Sequence, residues 1–544
     1  MSGPSSILRA AAALAAAGLL ASTGAAQEIG SEKAVPVHLV DGEEVAVPLG
    51  ELLKHGEHLF RAKWTVQDGM GRPQLKGVGS PLSDPTDPLV FPRNFNRLSS
   101  PEATSCAGCH ADPRPGGGGE FFTNAFVLAE RFDYATFDVA DPVFTKGMLD
   151  ENGGVTTGDS IGNPRSTPAL FGAGYVELLA REITADLRAQ RNALGPNSFV
   201  DLKSKGISFG TLVRTVNGAW QTDGVEGLPP SSLESTGPTD PPSLVVQPFS
   251  HGAATVSIRQ FTVGAYNHHI GLQAVERAGD GLDPDQDGIA DELTRADVTA
   301  VTLFQAALAP PGRILPKSKE ARQAVLSGEQ VFVDIGCASC HVPCLPLESD
   351  LFLEPNPFNP AGTLQEGGAY HSQVGSVALD LGGKGLPRPR LKKGKKTGVI
   401  EVFVFSDFKR HDITSGPNDP NREPLDMLAE PGSPEFFGGN GTFLTPRLWG
   451  VGGGSPYFHH GKFTTLREAI EAHAGEASGV MLQWHALPGE IQAKVIEFLK
   501  SLQVLPEKAK GTVLNHKGKK TKWEPFPWTC GQDVPPLPTT PPED

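Results

Sequence analysis

The chain has 544 residues, 38% of them hydrophobic, and its length predicts two to four domains instead of one compact core. Its formal net charge of -15 argues against a nucleic-acid partner. The 64 glycines and 48 prolines predict many turns and long irregular connections.

The first 26 residues have the pattern of a cleaved secretory signal. A single Arg9 precedes an apolar run of about a dozen residues, and small residues lead up to Gln27. A mature N-terminal helix is the alternative, but this run is too short to cross a bilayer. No later segment is apolar for long enough to span a membrane, so we expect a periplasmic or secreted protein.

Six segments show apolar residues at helical spacing. They predict helices over Leu52–Lys63, Tyr175–Leu194, Ala296–Leu308, Ser318–Gly336, Thr465–His473 and Pro488–Leu502. Strand-like stretches such as "GVIEVFVFSD" are few. We therefore predict a mainly α fold with long loops and few short β elements.

Two copies of a Cys-x-x-Cys-His pattern stand out in a chain with six cysteines. The first lies in "SCAGCHADPRPGGGG" and the second in "CASCHVPC". CxxCH is the attachment motif of c-type haem, because two thiols bond one edge of the porphyrin and the next residue ligates its iron. The alternatives are a disulfide across each CxxC and a zinc site, although neither motif supplies four zinc ligands locally. The predicted haem-binding residues are Cys106, Cys109, His110, Cys337, Cys340 and His341.

The stretch "ALAPPGRILP" around Pro310 separates the two motifs. It predicts an N-terminal c-type haem domain over residues 27–312 and a C-terminal one over residues 313–505, followed by a Pro-rich tail over residues 506–544. Export favours disulfide bonds. The two cysteines outside the motifs, Cys344 and Cys530, can therefore pair and hold the tail against the second motif.

Acidic residues alternate in the stretch "DPDQDGIADELT". Carboxylates at alternate positions, followed by Gly288, are typical of a calcium-binding loop. Thr294 stands where an EF-hand has its bidentate glutamate, and an acidic surface turn is the alternative. The predicted calcium ligands are Asp283, Asp285, Asp287 and Asp291.

The sixth position of each iron decides whether a haem transfers electrons or meets a substrate. Methionines are scarce in this chain, whereas histidines are frequent after the second motif. Thr464 is a predicted N-cap, and the helix that follows runs to His473 before Gly475. A histidine in the last turn of a short helix is firmly held, so His473 is a candidate ligand, with His459 and His411 as alternatives.

Seven stretches between about residue 56 and residue 475 carry a family resemblance. They read "GEHLFRAKWTVQDGMGRP", "FNRLSSPEATSCAGCH", "RSTPALFGAGYVELLA", "SIRQFTVGAYNHHIGLQ", "GEQVFVDIGCASCH", "FSDFKRHD" and "TPRLWGVGGGSPYFHHGKFTTLREAIEAHAGEA". They resemble the bacterial di-haem cytochrome c peroxidase superfamily, most closely its di-haem oxidoreductase branch, and are also similar to the haem-dependent rubber oxygenases. The resemblance implies two cytochrome c-like haem domains and a sixth ligand for the second haem at His473. Histidine on both faces lowers the reduction potential, so this haem would relay electrons.

The first haem, on His110, is then the reactive candidate. Its distal side is expected from "QPFSHGAATVSIRQFTVGAYNHHIGLQAVE", residues 247–276. A reactive iron needs polar groups that move protons in an otherwise apolar pocket. Alternatively, these side chains pack a helix or bind a haem propionate. The candidate catalytic residues are His251, Tyr266, His268, His269 and Gln273, with Phe261 in the pocket wall.

The sequence departs from the peroxidases in two places. The peroxidases have a tryptophan between the haems just before this segment, where this chain has His251. Trp220 is a substitute that nothing in the sequence places there. A catalytic glutamate is also missing, and Glu276 is the nearest carboxylate. Both departures favour dioxygen chemistry or an unusual peroxidase.

These patterns predict an exported di-haem c-type cytochrome oxidoreductase, with electron transfer through the His341/His473 haem and peroxide reduction at the His110 haem. The alternatives are a haem-dependent dioxygenase of an apolar alkene and a pure electron-transfer cytochrome. The oxidant would be peroxide or dioxygen, and a small redox protein would donate electrons. The basic stretch Arg388–Lys396 is a solvated loop or a docking patch for an acidic redox partner.

Overall fold

The computed structural model describes residues 29–71, 103–120, 122–125, 163–283, 287–395, 397–429, 433–523 and 527–538. The predicted signal peptide, residues 1–26, lies outside these residues, and so does Asp285. Within the described ranges, no helix is long and apolar enough to cross a membrane.

All six predicted helices are present. The largest difference is at the first helix, which begins at Leu49 instead of Leu52. A π-helical turn covers Tyr266–Ile270, and 3-10 turns cover Glu43–Val45, Val66–Asp68, Cys337–Ser339, Val451–Gly453 and Gly475–Ala477. The α-helices of the described residues are α1 (Leu49–Arg61), α2 (Cys106–Cys109), α3 (Ala173–Ala193), α4 (Pro230–Leu233), α5 (Ile258–Ala265), α6 (Val275–Ala278), α7 (Arg295–Ala306), α8 (Lys319–Asp334), α9 (Ala369–Val374), α10 (Pro434–Phe437), α11 (Leu466–Glu471), α12 (Ser478–Ala486) and α13 (Gly489–Ser501).

The N-cap of α11 is Thr465 and not Thr464. The Glu468 backbone N–H donates to the Thr465 hydroxyl at 3.2 Å, and the Thr465 backbone N–H donates to the Glu468 carboxylate at 2.9 Å. This reciprocal capping box places the helix start one residue later than predicted. Because α11 ends at Glu471, His473 follows the helix instead of occupying its last turn.

Short strands are more numerous than the sequence predicted, and "GVIEVFVFSD" supplies only Ile400–Val402. The strands of the described residues are β1 (Phe122–Ala125), β2 (Asn163–Ser166), β3 (Ser198–Ser204), β4 (Ile207–Arg214), β5 (Trp220–Gln221), β6 (Gly312–Leu315), β7 (Leu345–Leu347), β8 (Leu351–Glu354), β9 (Val377–Asp380), β10 (Ile400–Val402), β11 (Arg410–Asp412), β12 (Thr442–Leu444), β13 (Leu502–Gln503) and β14 (Val513–Asn515).

These strands form small separate sheets. The three-stranded sheets have the orders β3-β4-β5 and β13-β6-β14, and the pairs are β1-β2, β7-β10, β8-β9 and β11-β12. The β6–β14 pair is parallel, with Val513 opposite Arg313, whereas the β11–β12 pair is antiparallel. The architecture is therefore a mixture of helices and small sheets, and the prediction of a mainly α fold is correct only in part. The division into two haem domains near Pro310 stays a prediction.

A glycine allows close helix packing beside each CxxCH motif. A Cβ at Gly56 of α1 would overlap the Ala300 carbonyl of α7, and a Cβ at Gly328 of α8 would overlap the Lys494 carbonyl of α13. The α1–α7 pair adjoins the first motif, since Phe60 of α1 lies 6.2 Å from the His110 ring. The α8–α13 pair leads directly into the second motif. Backbone-to-backbone contact of this kind tolerates only glycine.

Two hydrophobic clusters support the motifs. The larger joins both halves of the chain, since it contains Leu179 and Leu303 as well as Phe332 and Phe498. The smaller lies beneath the first motif and includes the residues Leu59, Phe60, Trp64, Tyr266, Ile270 and Val298.

The predicted disulfide between Cys344 and Cys530 is confirmed. It joins residues 186 positions apart in sequence, with 4.8 Å between their Cα atoms. Beyond Cys530, the Val534 backbone N–H donates to the Gly206 carbonyl at 3.0 Å. The described part of the tail is therefore attached to the body of the protein beside the second motif.

Replacing both Cys344 and Cys530 by serine should destabilise the fold and release the tail. Because the disulfide closes a long loop, we expect a loss of about 2 to 4 kcal/mol in the free energy of unfolding. Denaturant unfolding measures this loss, and limited proteolysis with mass spectrometry locates the released segment. Wild-type protein treated with reductant should behave like the variant. An unchanged unfolding midpoint with an uncut tail would contradict this role of the disulfide.

Candidate functional site

A cavity of about 430 Å³ is bounded by both CxxCH motifs. His110 lies on its wall from the first motif, and Cys337, Cys340 and His341 lie on its wall from the second. Most of the remaining wall is apolar, with side chains such as Phe171, Phe332 and Leu448. The two motifs therefore face one common interior space.

The first motif is one helical turn followed by a loop that folds back on it. Ser105 caps the turn, since its hydroxyl accepts a hydrogen bond from the Gly108 backbone N–H at 3.0 Å. Within the glycine run, Gly118 and Asp112 exchange backbone hydrogen bonds of 2.8 and 2.9 Å. A Cβ at Gly117 would overlap the Asp112 carbonyl. The glycines are therefore needed because the loop passes so close to its own backbone.

The loop orients the ring of His110. Its Nδ1–H donates to the Gly117 carbonyl at 3.1 Å, which leaves Nε2 with a free lone pair. Removal of the ring from bulk water lowers the pKa of His110 to about 4. His110 is therefore neutral at pH 7, the form in which imidazole ligates a metal.

The second motif follows α8 through a turn at Gly336, whose φ is 94°. The Nδ1–H of His341 donates to the Phe405 carbonyl at 3.3 Å, and burial lowers the pKa of His341 to about 4. His341 thus has the same tautomer and charge as His110. The motif cysteines do not form a disulfide across either CxxC, so that alternative is wrong.

His473 faces His341 across the cavity. The two ring centres are 6.4 Å apart, with 67° between the ring planes. The Nδ1–H of His473 donates to the Ala469 carbonyl at 2.8 Å, and burial lowers the pKa of His473. Two imidazoles that bind one metal through nitrogen bonds of about 2 Å have ring centres about 6 Å apart. The spacing therefore fits a metal held between His341 and His473.

His411 is clamped between two carboxylates. Its ring nitrogens lie 2.8 Å from Asp407 and 2.7 Å from Glu476. Although burial opposes the charge, these carboxylates raise the pKa of His411 to about 12, so the ring is an imidazolium at neutral pH. An imidazolium has no lone pair for a metal. His411 is therefore unsuited as a ligand, and its group with Cys340 and Asp407 falls short of the four ligands of a structural zinc site.

His459 differs from its neighbours because neither of its ring nitrogens forms a hydrogen bond of normal geometry among the described residues, although the Asn421 backbone acts on its pKa. The ring is buried, stacks on Phe443 at 3.7 Å and lies 6.5 Å from the ring of His251. Burial lowers its pKa well below the usual value. An unsatisfied neutral imidazole on a cavity wall is available to a ligand.

Among the predicted catalytic residues, His251 lines the cavity, and so does Phe261. The Nε2–H of His251 donates to the Ser166 carbonyl at 2.9 Å, so its Nδ1 remains an acceptor. Burial lowers the pKa of His251. His251 can therefore accept a proton from a molecule in the cavity.

The other predicted catalytic residues lie in or just after the π-helical turn Tyr266–Ile270. The described cavity wall does not include Tyr266, His268, His269 or Gln273. Tyr266 packs edge-on against Trp64 at 5.8 Å, and its hydroxyl donates to the Leu59 carbonyl at 3.2 Å. The Gln273 backbone N–H donates to Glu292 at 2.8 Å. Their catalytic roles stay predictions, and His251 has the better position.

Glu276 forms a buried ion pair and does not line the cavity among the described residues. Its carboxylate lies 2.7 Å from the guanidinium of Arg259, whose side chain is fully buried. Glu354 approaches the same guanidinium at 3.2 Å. Glu276 therefore neutralises Arg259 and has a structural role.

Sequence reasoning missed two residues of the cavity wall, Arg447 and Trp449. Arg447 donates to the Ala169 carbonyl and has no carboxylate partner within the described chain. Burial lowers its pKa to about 10, so it still carries its charge at pH 7. Trp449 is buried, whereas Trp220 lies outside the described cavity wall, beneath Arg214 at 4.8 Å. The sequence signal for Arg447 and Trp449 was the stretch "TPRLWG", which lies just before "PYFHH".

The predicted calcium loop is described only in part. The Asp283 carboxylate accepts hydrogen bonds from the backbone of Asp287 at 3.2 Å and of Gly288 at 2.9 Å. Asp291 accepts one from Gly281 at 2.8 Å. In the described ranges no three of these carboxylates have oxygens within 4.8 Å of one another. The calcium site stays a prediction.

Comparisons with known proteins found only distant structural similarity. No family model matches the sequence, and no curated protein matches it. Seven chains of solved structures match, among them hydrazine synthase of Kuenenia stuttgartiensis under 20 bar xenon. That chain is 14% identical, the alignment covers 87% of this chain and 97% of the other, and the TM-score is 0.30. A likeness this distant assigns neither a family nor a function to the chain.

Replacing Glu276 by glutamine should destabilise the protein because it leaves the Arg259 charge undercompensated. Loss of one partner of a buried ion pair lowers the free energy of unfolding by about 3 kcal/mol or more. Glu354→Gln is the matched control, since burial raises the pKa of Glu354 to about 7 and the carboxyl is largely protonated at pH 6. Urea unfolding at pH 6 should show the larger loss for Glu276→Gln. Equal losses would contradict the assignment of Glu276 as the main counter-ion.

Proposed function

We propose that the chain is an exported di-haem c-type oxidoreductase that reduces peroxide at the first motif and receives electrons through the second. One observation carries the proposal. His110, His341 and His473 face one cavity, and each donates its Nδ1–H to a backbone carbonyl, the tautomer in which Nε2 carries the lone pair. This arrangement orients imidazoles as metal ligands.

The cavity wall and the neighbouring motif cysteines fit two covalently bound haems, although Cys106 and Cys109 are not on the described cavity wall. Cys106 and Cys109 would hold the first and Cys337 and Cys340 the second, with His110, His341 and His473 as iron ligands. The Arg447 guanidinium faces the cavity without a carboxylate of its own, so it would pair with a haem propionate. When bound, the haems supply one-electron redox centres and an iron able to promote O–O cleavage.

The chain supplies proton transfer and exclusion of water at this site. Reduction of one hydrogen peroxide to two waters takes two electrons and two protons. His251 would take up a proton at Nδ1, and the unsatisfied ring of His459 lies next to it. The apolar wall limits water, which strengthens these polar contacts.

Three further features support the proposal. A second haem with histidine on both faces has a low potential, which suits an electron relay. The buried Trp449 lines the same cavity as both motifs. The Cys344–Cys530 disulfide favours an oxidising compartment such as the periplasm, in keeping with export.

A pure electron-transfer cytochrome is the second candidate. His269 is near enough to His110 to contribute to lowering the pKa of His110, after burial itself. A histidine on both faces of the first haem would close it to substrates. Coordination of the first iron therefore separates the two functions.

The reduced protein should bind carbon monoxide at one of two haems. Protein matured with a c-type haem attachment system should carry two haems that acid-acetone does not extract. Carbon monoxide should shift about half of the Soret absorbance, because a first iron held by His110 alone would have an open position. Cys106→Ala/Cys109→Ala should abolish the shift, whereas Cys337→Ala/Cys340→Ala should retain it.

Loss of all bound haem on acid-acetone extraction would contradict the proposal. No carbon monoxide shift in a fully loaded protein would favour the electron carrier. Oxygen uptake on an apolar alkene without any electron donor would favour the dioxygenase.

Replacing His473 should alter the second haem alone. His473→Ala should open this iron, so that carbon monoxide shifts nearly all of the Soret absorbance. His473→Met should keep the iron low-spin and raise its reduction potential, as expected for a His/Met pair. Electron paramagnetic resonance and redox titration measure both effects. His485→Ala on α12 is the control and should match the wild type. A His473→Ala protein with an unchanged low-spin signal would assign the sixth ligand to another residue.

A further inference from the structure

A basic surface lies near the C-terminal end of the described chain. Residues 508–522 contain six lysines and no acidic residue, although the whole chain carries a formal net charge of -15. All six side chains are exposed, and none of them forms an ion pair within the described residues. We call this surface the lysine patch. It consists of Lys508, Lys510, Lys517, Lys519, Lys520 and Lys522.

The lysine patch is built on ordered backbone. β14 pairs with β6, and the chain then turns back at Asn515, whose backbone N–H donates to the Lys519 carbonyl at 2.9 Å. The Asn515 side chain accepts hydrogen bonds from the backbone of Lys517 at 2.9 Å and of Lys519 at 3.1 Å. The turn therefore holds several like charges close together. An anionic partner would relieve their mutual repulsion.

A row of packed side chains runs from the patch to the second motif. Trp523 directly follows the patch, and Arg313 lies 5.3 Å from its ring and 5.5 Å from the ring of Phe498. Phe498 packs against Phe332 at 5.3 Å, and Phe332 lies 6.4 Å from the ring of His341. A donor seated here would therefore be connected to His341 through side chains in contact, with steps of 5.3 to 6.4 Å between successive ring or guanidinium centres.

The other basic stretch provides a contrast. Lys392, Lys393 and Lys395 are also exposed. Nearby, Arg390 donates to the Ala307 carbonyl and not to a group of the second motif. In the described chain, no comparable row of packed side chains joins this stretch to His341. It therefore matches the lysine patch in charge but not in position.

We propose that the lysine patch docks a small acidic electron-transfer protein that reduces the second haem. This inference rests on the proposed function, because it requires a haem on His341. In each encounter the partner loses one electron and the second haem gains one, and two encounters supply the two electrons that one peroxide takes up. Opposite charges on the two proteins raise the association rate, by about 10-fold to 1,000-fold in steered complexes.

Charge reversal tests the docking surface by binding. The variant Lys517→Glu/Lys519→Glu/Lys520→Glu removes half of the lysine patch, and Lys392→Glu/Lys393→Glu/Lys395→Glu is the control with the same change in net charge. The probe is oxidised plant-type [2Fe–2S] ferredoxin, an acidic one-electron carrier, titrated into the haem-loaded protein at low salt. We expect the patch variant to bind at least about tenfold more weakly than the wild type. The control variant should stay within about twofold.

Stopped-flow reduction by the same ferredoxin, in its reduced form, tests the electron transfer. The second-order rate constant should fall about tenfold in the patch variant and should fall with rising salt in the wild type. Dithionite, which needs no docking site, should reduce all three proteins at equal rates. Equal losses in both variants, or no loss in either, would overturn the proposal.

Three further outcomes are distinguishable. If phosphatidylserine vesicles bind through the patch while ferredoxin does not, the surface serves a membrane and the proposal is wrong. If the purified protein carries no covalent haem, the proposed function fails and the docking inference fails with it. If the haem-loaded protein is reduced by ferredoxin at the same rate with and without the patch lysines, the docking inference alone is overturned.

Discussion

A hydrogen bond from histidine Nδ1–H to a backbone carbonyl is the interaction on which the candidate site depends. It occurs at His110, His341 and His473, each time with a carbonyl from a neighbouring loop or helix end. The bond selects one tautomer and directs Nε2 away from its own backbone. Removal from bulk water keeps the rings neutral. The three imidazoles share one cavity wall, and two of them, His110 and His341, are the histidines of the CxxCH motifs.

Local sequence patterns predicted the features that depend on local interactions. Helical periodicity located α3 and α13 to within two residues at each end, and export chemistry predicted the Cys344–Cys530 pair. The N-cap of α11 was misplaced by one residue, since two adjacent threonines look equivalent until the Glu468 capping box is seen. Short strands were underestimated because pairs such as β6 with β14 are formed by segments far apart in sequence.

The roles of the polar residues in and near the cavity were harder to predict because they depend on which charged partners the fold brings together. His411 was a plausible ligand in sequence, but Asp407 and Glu476 make it an imidazolium. Glu276 was the nearest carboxylate to the predicted distal segment, yet it neutralises Arg259. Arg447 is the opposite case, a cation facing the cavity without such a partner among the described residues. Pairing decides which charges serve the fold and which remain for a ligand.

The cavity also bears on how the chain is organised. Its wall includes His110 from the predicted N-terminal haem domain, His341 from the predicted C-terminal one, and Leu537 from the Pro-rich tail. The Cys344–Cys530 disulfide holds that tail beside the second motif. Residues from all three sections therefore enclose one interior, and the larger hydrophobic cluster likewise joins Leu179 with Phe498. A change in the tail can thus reach the environment of His341 without touching the motif, because the tail is part of the wall that keeps water from it.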